Sequence, residues 1–199
     1  MSTTGGGTSP IGRFGRLTPW VTAQYSKPAA ATQYSIGDLI GNSLTAASVT
    51  PITFSNAARF VNGSGRLIGA SCVVTAASGT IVLPAFDLLV FRPYTNIPFA
   101  VGSYPADNDA LDVSAAAMIQ LIGVFPFAST TWRNQAGGAT AAGDHIYQDV
   151  DPANRAQGVP FELQGLDSTS LLGLMQAQNT WNPGNVAQTF DFTLDVEQD

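Results

Sequence analysis

The 199-residue chain has one histidine, His145, and one lysine, Lys27, so imidazole and amine chemistry each rest on a single side chain. Hydrolysis by a serine nucleophile would need His145 as the base that takes the hydroxyl proton. The serines are poorly placed for it. Ser64 sits directly between Gly63 and Gly65, and Ser71 lacks a matching pair of glycines two residues away on either side, so neither forms a nucleophile elbow. The run Gly63-Ser-Gly65-Arg-Leu-Ile-Gly69 approaches a dinucleotide-binding fingerprint. Its third glycine comes one place late, and a strand pattern follows where a helix N-terminus should receive the phosphates. No phosphate-cradling loop ends in a lysine. Cys72 lies in the apolar run Ile68-Gly-Ala-Ser-Cys-Val-Val, which reads as a buried, inert thiol without an intrachain disulfide partner.

Carboxylates are the better supplied groups. Asp107-Asn-Asp109 with Asp112 has the opening of a calcium loop, but the sixth place is not glycine and Met118 stands where a bidentate Glu belongs. Asp144, Asp149 and Asp151, beside His145, form a second cluster whose oxygens could hold a metal ion; the simpler reading is a solvated acidic loop. Glu162 and Glu197, the only glutamates, fall in or near strands with nothing to pair them as a glycosidase needs. The sequon Asn62-Gly-Ser64 is a short pattern that chance supplies often, and the first residues lack the basic start and apolar run of a secretion signal. The expectation is a chain that is not an enzyme and needs no cofactor.

These residues must be positioned by short strands. Charged residues make up 11% of the chain, against roughly 25% in ordinary soluble domains, while Gly (20) and Pro (12) punctuate the sequence. No apolar run is long enough for a membrane helix, so no membrane partner is expected. The net charge is −6, unevenly spread: residues 1–33 hold Arg13, Arg16 and Lys27 and no acid, leaving five bases against fourteen acids, or −9, in the remainder. That body repels polyanions, so nucleic acid is not an expected partner.

The chain divides near residue 33 into a flexible basic and aromatic N-terminal arm (1–33) and a β-sandwich domain (34–199). The Gly/Thr/Ser start offers too little apolar surface to offset ordering entropy. In the rest of the arm, Pro19 and Pro28 discourage a helix, and Arg13, Phe14, Arg16, Trp20 and Lys27 are candidate contacts to a neighbouring subunit or larger assembly. From Tyr34 onward, apolar residues alternate with polar ones between turn residues, which predicts an all-β antiparallel sandwich. Candidate strands are 34–40, 52–54, 67–75, 80–92, 117–125, 158–163, 171–178 and the C-terminal run, where Phe190, Phe192, Leu194 and Val196 share one face. Ala76-Ala-Ser-Gly79 reads as a hairpin turn, Asp112 as the start of a short capped turn, and 134–157 as a long functional loop without strand character.

The succession Tyr34-Ser-Ile-Gly-Asp38-Leu-Ile-Gly-Asn42, Pro51-Ile-Thr-Phe54, Arg59, Gly65-Arg-Leu-Ile68, Phe86-Asp-Leu-Leu-Val-Phe91 and Asp107-Asn-Asp109 resembles small virion proteins of tailed bacteriophages, encoded among the head genes. The resemblance implies a jelly-roll sandwich, made in the host bacterial cytoplasm and carried on the virion. It implies a capsid decoration or cement protein, often a homotrimer, whose partner is the major capsid protein or another virion protein. It brings no catalytic residues. Two alternatives stay open: a neck, tail or fibre-base component, and a glycan or host-surface binding module with Trp132, Tyr147 and Trp181 as its aromatic platform.

Overall fold

The computed structural model describes residues 19–30, 32–76, 81–93, 104–134, 145–153 and 158–199. Ten strands and one short helix follow in order: β1 (Trp20–Lys27), β2 (Ile52–Phe54), β3 (Ser64–Ala76), β4 (Phe86–Phe91), α1 (Ala115–Met118), β5 (Leu121–Phe127), β6 (Arg133–Asn134), β7 (His145–Val150), β8 (Val159–Glu162), β9 (Leu171–Ala177) and β10 (Gln188–Gln198). They form two antiparallel sheets, β1-β10-β3-β7-β6 with β8 added beside β3, and β2-β9-β4-β5. The protein is an all-β sandwich. Its pairings nest: β1 with β10, β2 with β9, β3 with β7 and β4 with β5, as in one long antiparallel ribbon with its tip between β4 and β5. Rolling that ribbon brings β10 against β3 and β9 against β4, which is the jelly-roll arrangement.

Period-two patterning builds the core. β10 turns Phe190, Phe192, Leu194 and Val196 inward, and β3 answers with Leu67, Ala70, Cys72 and Val74. From the facing sheet come Phe54, Phe86, Leu88, Val90, Phe125, Phe127, Leu171 and Met175. Phe86 joins the layers: its ring stacks on Phe127 at 4.8 Å between centroids and meets Phe190 and Phe192 edge-on at 5.7 and 6.1 Å. Such pairs add about 0.5–1.5 kcal/mol each beyond the area they bury.

The four-stranded sheet is buried on its outer face too. Leu89 and Phe91 of β4 and Leu174 of β9 pack there with Leu39, Val49, Tyr104 and Leu111 from two covering segments. This explains why Phe86-Asp-Leu-Leu-Val-Phe91 is nearly all apolar instead of alternating.

Several expectations change. The boundary near residue 33 falls after a strand of the sandwich, because Trp20–Lys27 forms β1 along β10 from Asp195 to Gln188. Pro19 and Pro28 bracket this strand; they do not break it. The hairpin expected at Ala76–Gly79 is not one, since β3 and β4 belong to different sheets; residues 77–80 lie outside the described residues. Residues 34–40 make only isolated bridges, through Tyr34, Asp38 and Leu39. Strand character in 117–125 begins at Leu121, after α1, whose cap is Ser114 (its Oγ accepts from the Ala117 N–H at 3.3 Å), and not Asp112. The segment 134–157 is not free of strand, for it contains β7.

Candidate functional site

The outer face of the six-stranded sheet gathers the chemistry. Strand alternation that sends Val21 and Tyr25 into the core sends Trp20, Thr22 and Gln24 outward. Thr193 and Asp195 of β10, Ser71 of β3, and Tyr147 and Asp149 of β7 face the same way. Register lines them up: Trp20 pairs with Asp195 and Asp195 with Gly69, while Thr22, Thr193, Ser71 and Asp149 form the adjoining cross-strand row.

The relief of this face follows from side-chain size. The middle strands β10 and β3 offer short residues, Thr193, Ser71 and Gly69, as a floor. The flanking strands β1 and β7, three strand spacings or about 14 Å apart, offer Trp20 and Tyr147 at its margins, Tyr147 standing in the cross-strand row of Gln24 and Trp20 in that of Asp195. The result is a depression of about 310 Å³ lined by Trp20, Ser71, Tyr147, Asp149, Thr193 and Asp195. A second one of about 290 Å³, lined by residues that include Ile68, Gly69, Asp149, Asp151 and Asp195, adjoins it. Asp149 and Asp195 line both.

The electrostatics of the groove are those of crowded acids. The Tyr147 hydroxyl donates to Asp149 Oδ1, and that bond, partial burial and the nearby carboxylates push its pKa up to about 12. Partial burial, with the Asp149 charge adding to it, raises the Asp195 carboxyl above its usual range. One row further on, Gln24 Nε2 donates to Asp191 Oδ1 at 2.8 Å and ties β1 to β10. Trp20 is 80% exposed.

The residues singled out from sequence separate. Lys27 is not at a contact surface: it is 1% exposed, donates from Nζ to the Pro28 carbonyl at 2.8 Å and lies over the Tyr34 ring at 5.7 Å from its centroid. Burial lowers its pKa, and the nearby Asp107 opposes that shift. Trp181 is core, stacked on Tyr34 at 4.9 Å, with Nε1 donating to the Val82 carbonyl at 3.0 Å. Trp132 is half-buried against Phe86 and Phe127, with Nε1 donating to the Pro84 carbonyl at 2.8 Å. Only Tyr147 of that trio reaches the groove, and the exposed tryptophan that lines it is Trp20. Asp149 is in the groove and Asp151 lines the adjoining depression. Arg13, Phe14, Arg16 and Asp144 lie outside the described residues. Among the described residues no group of three or more His, Cys, Asp or Glu side chains is arranged to hold a metal ion. Sequence reasoning missed Ser71, Thr193 and Asp195 as site residues, although the alternation of β10 already placed Thr193 and Asp195 outward.

No protein-family model matches the chain, and no curated protein sequence matches it. Among solved structures, the chain is similar to the decameric BFDV capsid protein, with a TM-score of 0.31 and 17% identity over 91% of this chain and 98% of that one. It is also similar to the carbohydrate esterase vb_24B_21 of the Shiga toxin-encoding bacteriophage phi24B, with a TM-score of 0.27 and 13% identity over 88% and 90% of the two chains. Likenesses this distant carry no argument about function.

Proposed function

We propose that this chain is a structural protein of a tailed-bacteriophage virion, a decoration or cement subunit that seats on the outer capsid shell and associates as a trimer. The reading rests on the sequence resemblance of residues 34–112. The observation that supports it most is how the chain enters the sandwich: β1 is an edge strand, and the residues just before it include Arg13, Phe14 and Arg16 with no acid among them. A basic, aromatic segment joined to a sheet edge suits an acidic surface on a neighbouring virion subunit. The sparse charge of the chain fits the same role, since small uncharged side chains lose little hydration when buried against a shell.

The structure sharpens the test. Removing residues 1–33 would take away β1, so the deletion must stop at residue 18. Full-length protein mixed with capsid shells from its own source should co-sediment with them, and the chain lacking 1–18 should stay in the supernatant with unchanged circular dichroism. Equal co-sedimentation of both would overturn the role of the segment. Failure of the full chain to bind any shell would overturn the decoration reading.

A further inference from the structure

We propose that the groove between Trp20 and Tyr147 is a saccharide-binding site, with Trp20 as the stacking platform and the Asp149–Asp195 pair as hydrogen-bond acceptors shared by two adjoining sugar positions.

An indole that is 80% exposed leaves a large apolar face in water, and the C–H face of a pyranose ring is the kind of flat, weakly polar surface that covers it well. The groove around it is polar in a particular way. Ser71 and Thr193 carry hydroxyls that both donate and accept, while the Tyr147 oxygen, whose proton goes to Asp149, accepts as Asp149 and Asp195 do. A sugar also presents hydroxyls that donate and accept, so each side satisfies the other.

Shape supports the same ligand. The two depressions, about 310 and 290 Å³, each sit near the lower bound of about 300 Å³ for small-molecule sites. They adjoin across the carboxylate pair, so consecutive sugar units would each reach Asp149 and Asp195 from opposite sides. Gly69 keeps the second position open, because a Cβ there would stand 3.3 Å from Asp195 Oδ2 and 3.4 Å from the Val150 carbonyl. The proposal does not depend on where the protein sits on a particle.

The test is a titration of the full chain with methyl glycosides and tetrasaccharides of glucose, galactose, mannose and N-acetylglucosamine, followed by tryptophan fluorescence and calorimetry. At least one series should bind and change the emission of Trp20. Trp20→Ala and Asp195→Asn should each weaken that binding by about tenfold or more, with melting temperatures showing that the fold is kept. Gly69→Ala should weaken the tetrasaccharide more than the monosaccharide. A flat response to the whole panel at millimolar sugar would overturn the proposal, as would binding that survives Trp20→Ala. A peptide of residues 10–18 that binds the groove where no sugar does would reassign it to the chain's own basic segment.

Discussion

The hydroxyl of Tyr34 donates to Asp107 Oδ1 at 2.5 Å, and the same oxygen accepts the Gly41 N–H at 2.7 Å. Through this one carboxylate, the segment that follows β1 is tied to the segment that covers the outer face of the four-stranded sheet. Asp107 is buried, its Oδ2 has no hydrogen-bond partner among the described residues, and Lys27 supplies a nearby positive charge. Asp107→Ala should therefore cost about 3–5 kcal/mol, the range for removing one member of a buried charged network. Tyr34→Phe, which keeps the stack on Trp181, should cost only about 1–3 kcal/mol. Urea unfolding of the two variants checks the order; equal losses would mean that the carboxylate is not the centre of the network.

Gly173 lies in the middle of β9, with its missing side chain aimed between the sheets. A Cβ there would stand 2.9 Å from Phe54 Cε2 and 3.1 Å from Leu88 Cδ1. Gly173→Ala should destabilise the fold by about 1–3 kcal/mol by overpacking, although alanine favours a strand no less than glycine does. Thermal unfolding decides it, and a variant as stable as the parent would show that the core there has room.

Truncation should have a sharp threshold. A chain beginning at Pro19 keeps β1 and should melt as the parent does. One beginning at Pro28 exposes the edge of β10 and leaves Phe190 and Phe192 without their β1 partners Tyr25 and Ala23, so it should aggregate or lose several kcal/mol. Light scattering during a thermal ramp separates the two.

Stability should fall as pH rises from the acid side. Asp87, Asp107 and Asp195 all have carboxyl groups held above their ordinary 3.8, chiefly by burial. In that window the folded chain binds more protons than the unfolded one, so their contribution is present below about pH 4 and is lost as pH climbs through the raised values. Asp195→Asn should remove part of this slope and leave the protein at least as stable at pH 7, by a few tenths of a kcal/mol at this exposed site. Melting curves at half-unit steps from pH 4 to 7 test the sign; a slope steeper in the variant than in the parent would contradict it.

Alternation made β10, β8 and β2 legible in the sequence, because each has one face in the core and apolar residues at every second place, whereas β9 is apolar on both faces and reads as a short apolar run. β1 was obscured by its flanking prolines and by Lys27, a charged residue at a core position that is accommodated through the Pro28 carbonyl and the Tyr34 ring. β7 was obscured for a similar reason. Its inward Gln148 is polar, and the amide lies against Ala128 and the hydroxyl of Thr131, so the strand lacks an apolar stripe. Tyr147 and Asp149 were recognised as chemically interesting residues, but their association with Trp20 is a matter of sheet order across β10 and β3. No local pattern encodes that order, since residues 20, 71, 147 and 195 meet only after the ribbon has rolled.

The central place of β10 also governs when the sheet can close. It pairs with both β1 and β3, yet in the chain it comes after every strand it must join. During synthesis the earlier strands emerge with their edges open, and β1 waits through more than 160 residues for its partner. Folding is thus deferred until the last strand is released, and is slow because its defining contacts are distant in sequence. A nascent chain of this kind is exposed to wrong pairings with its neighbours on the same message, a hazard that grows with the rate of expression.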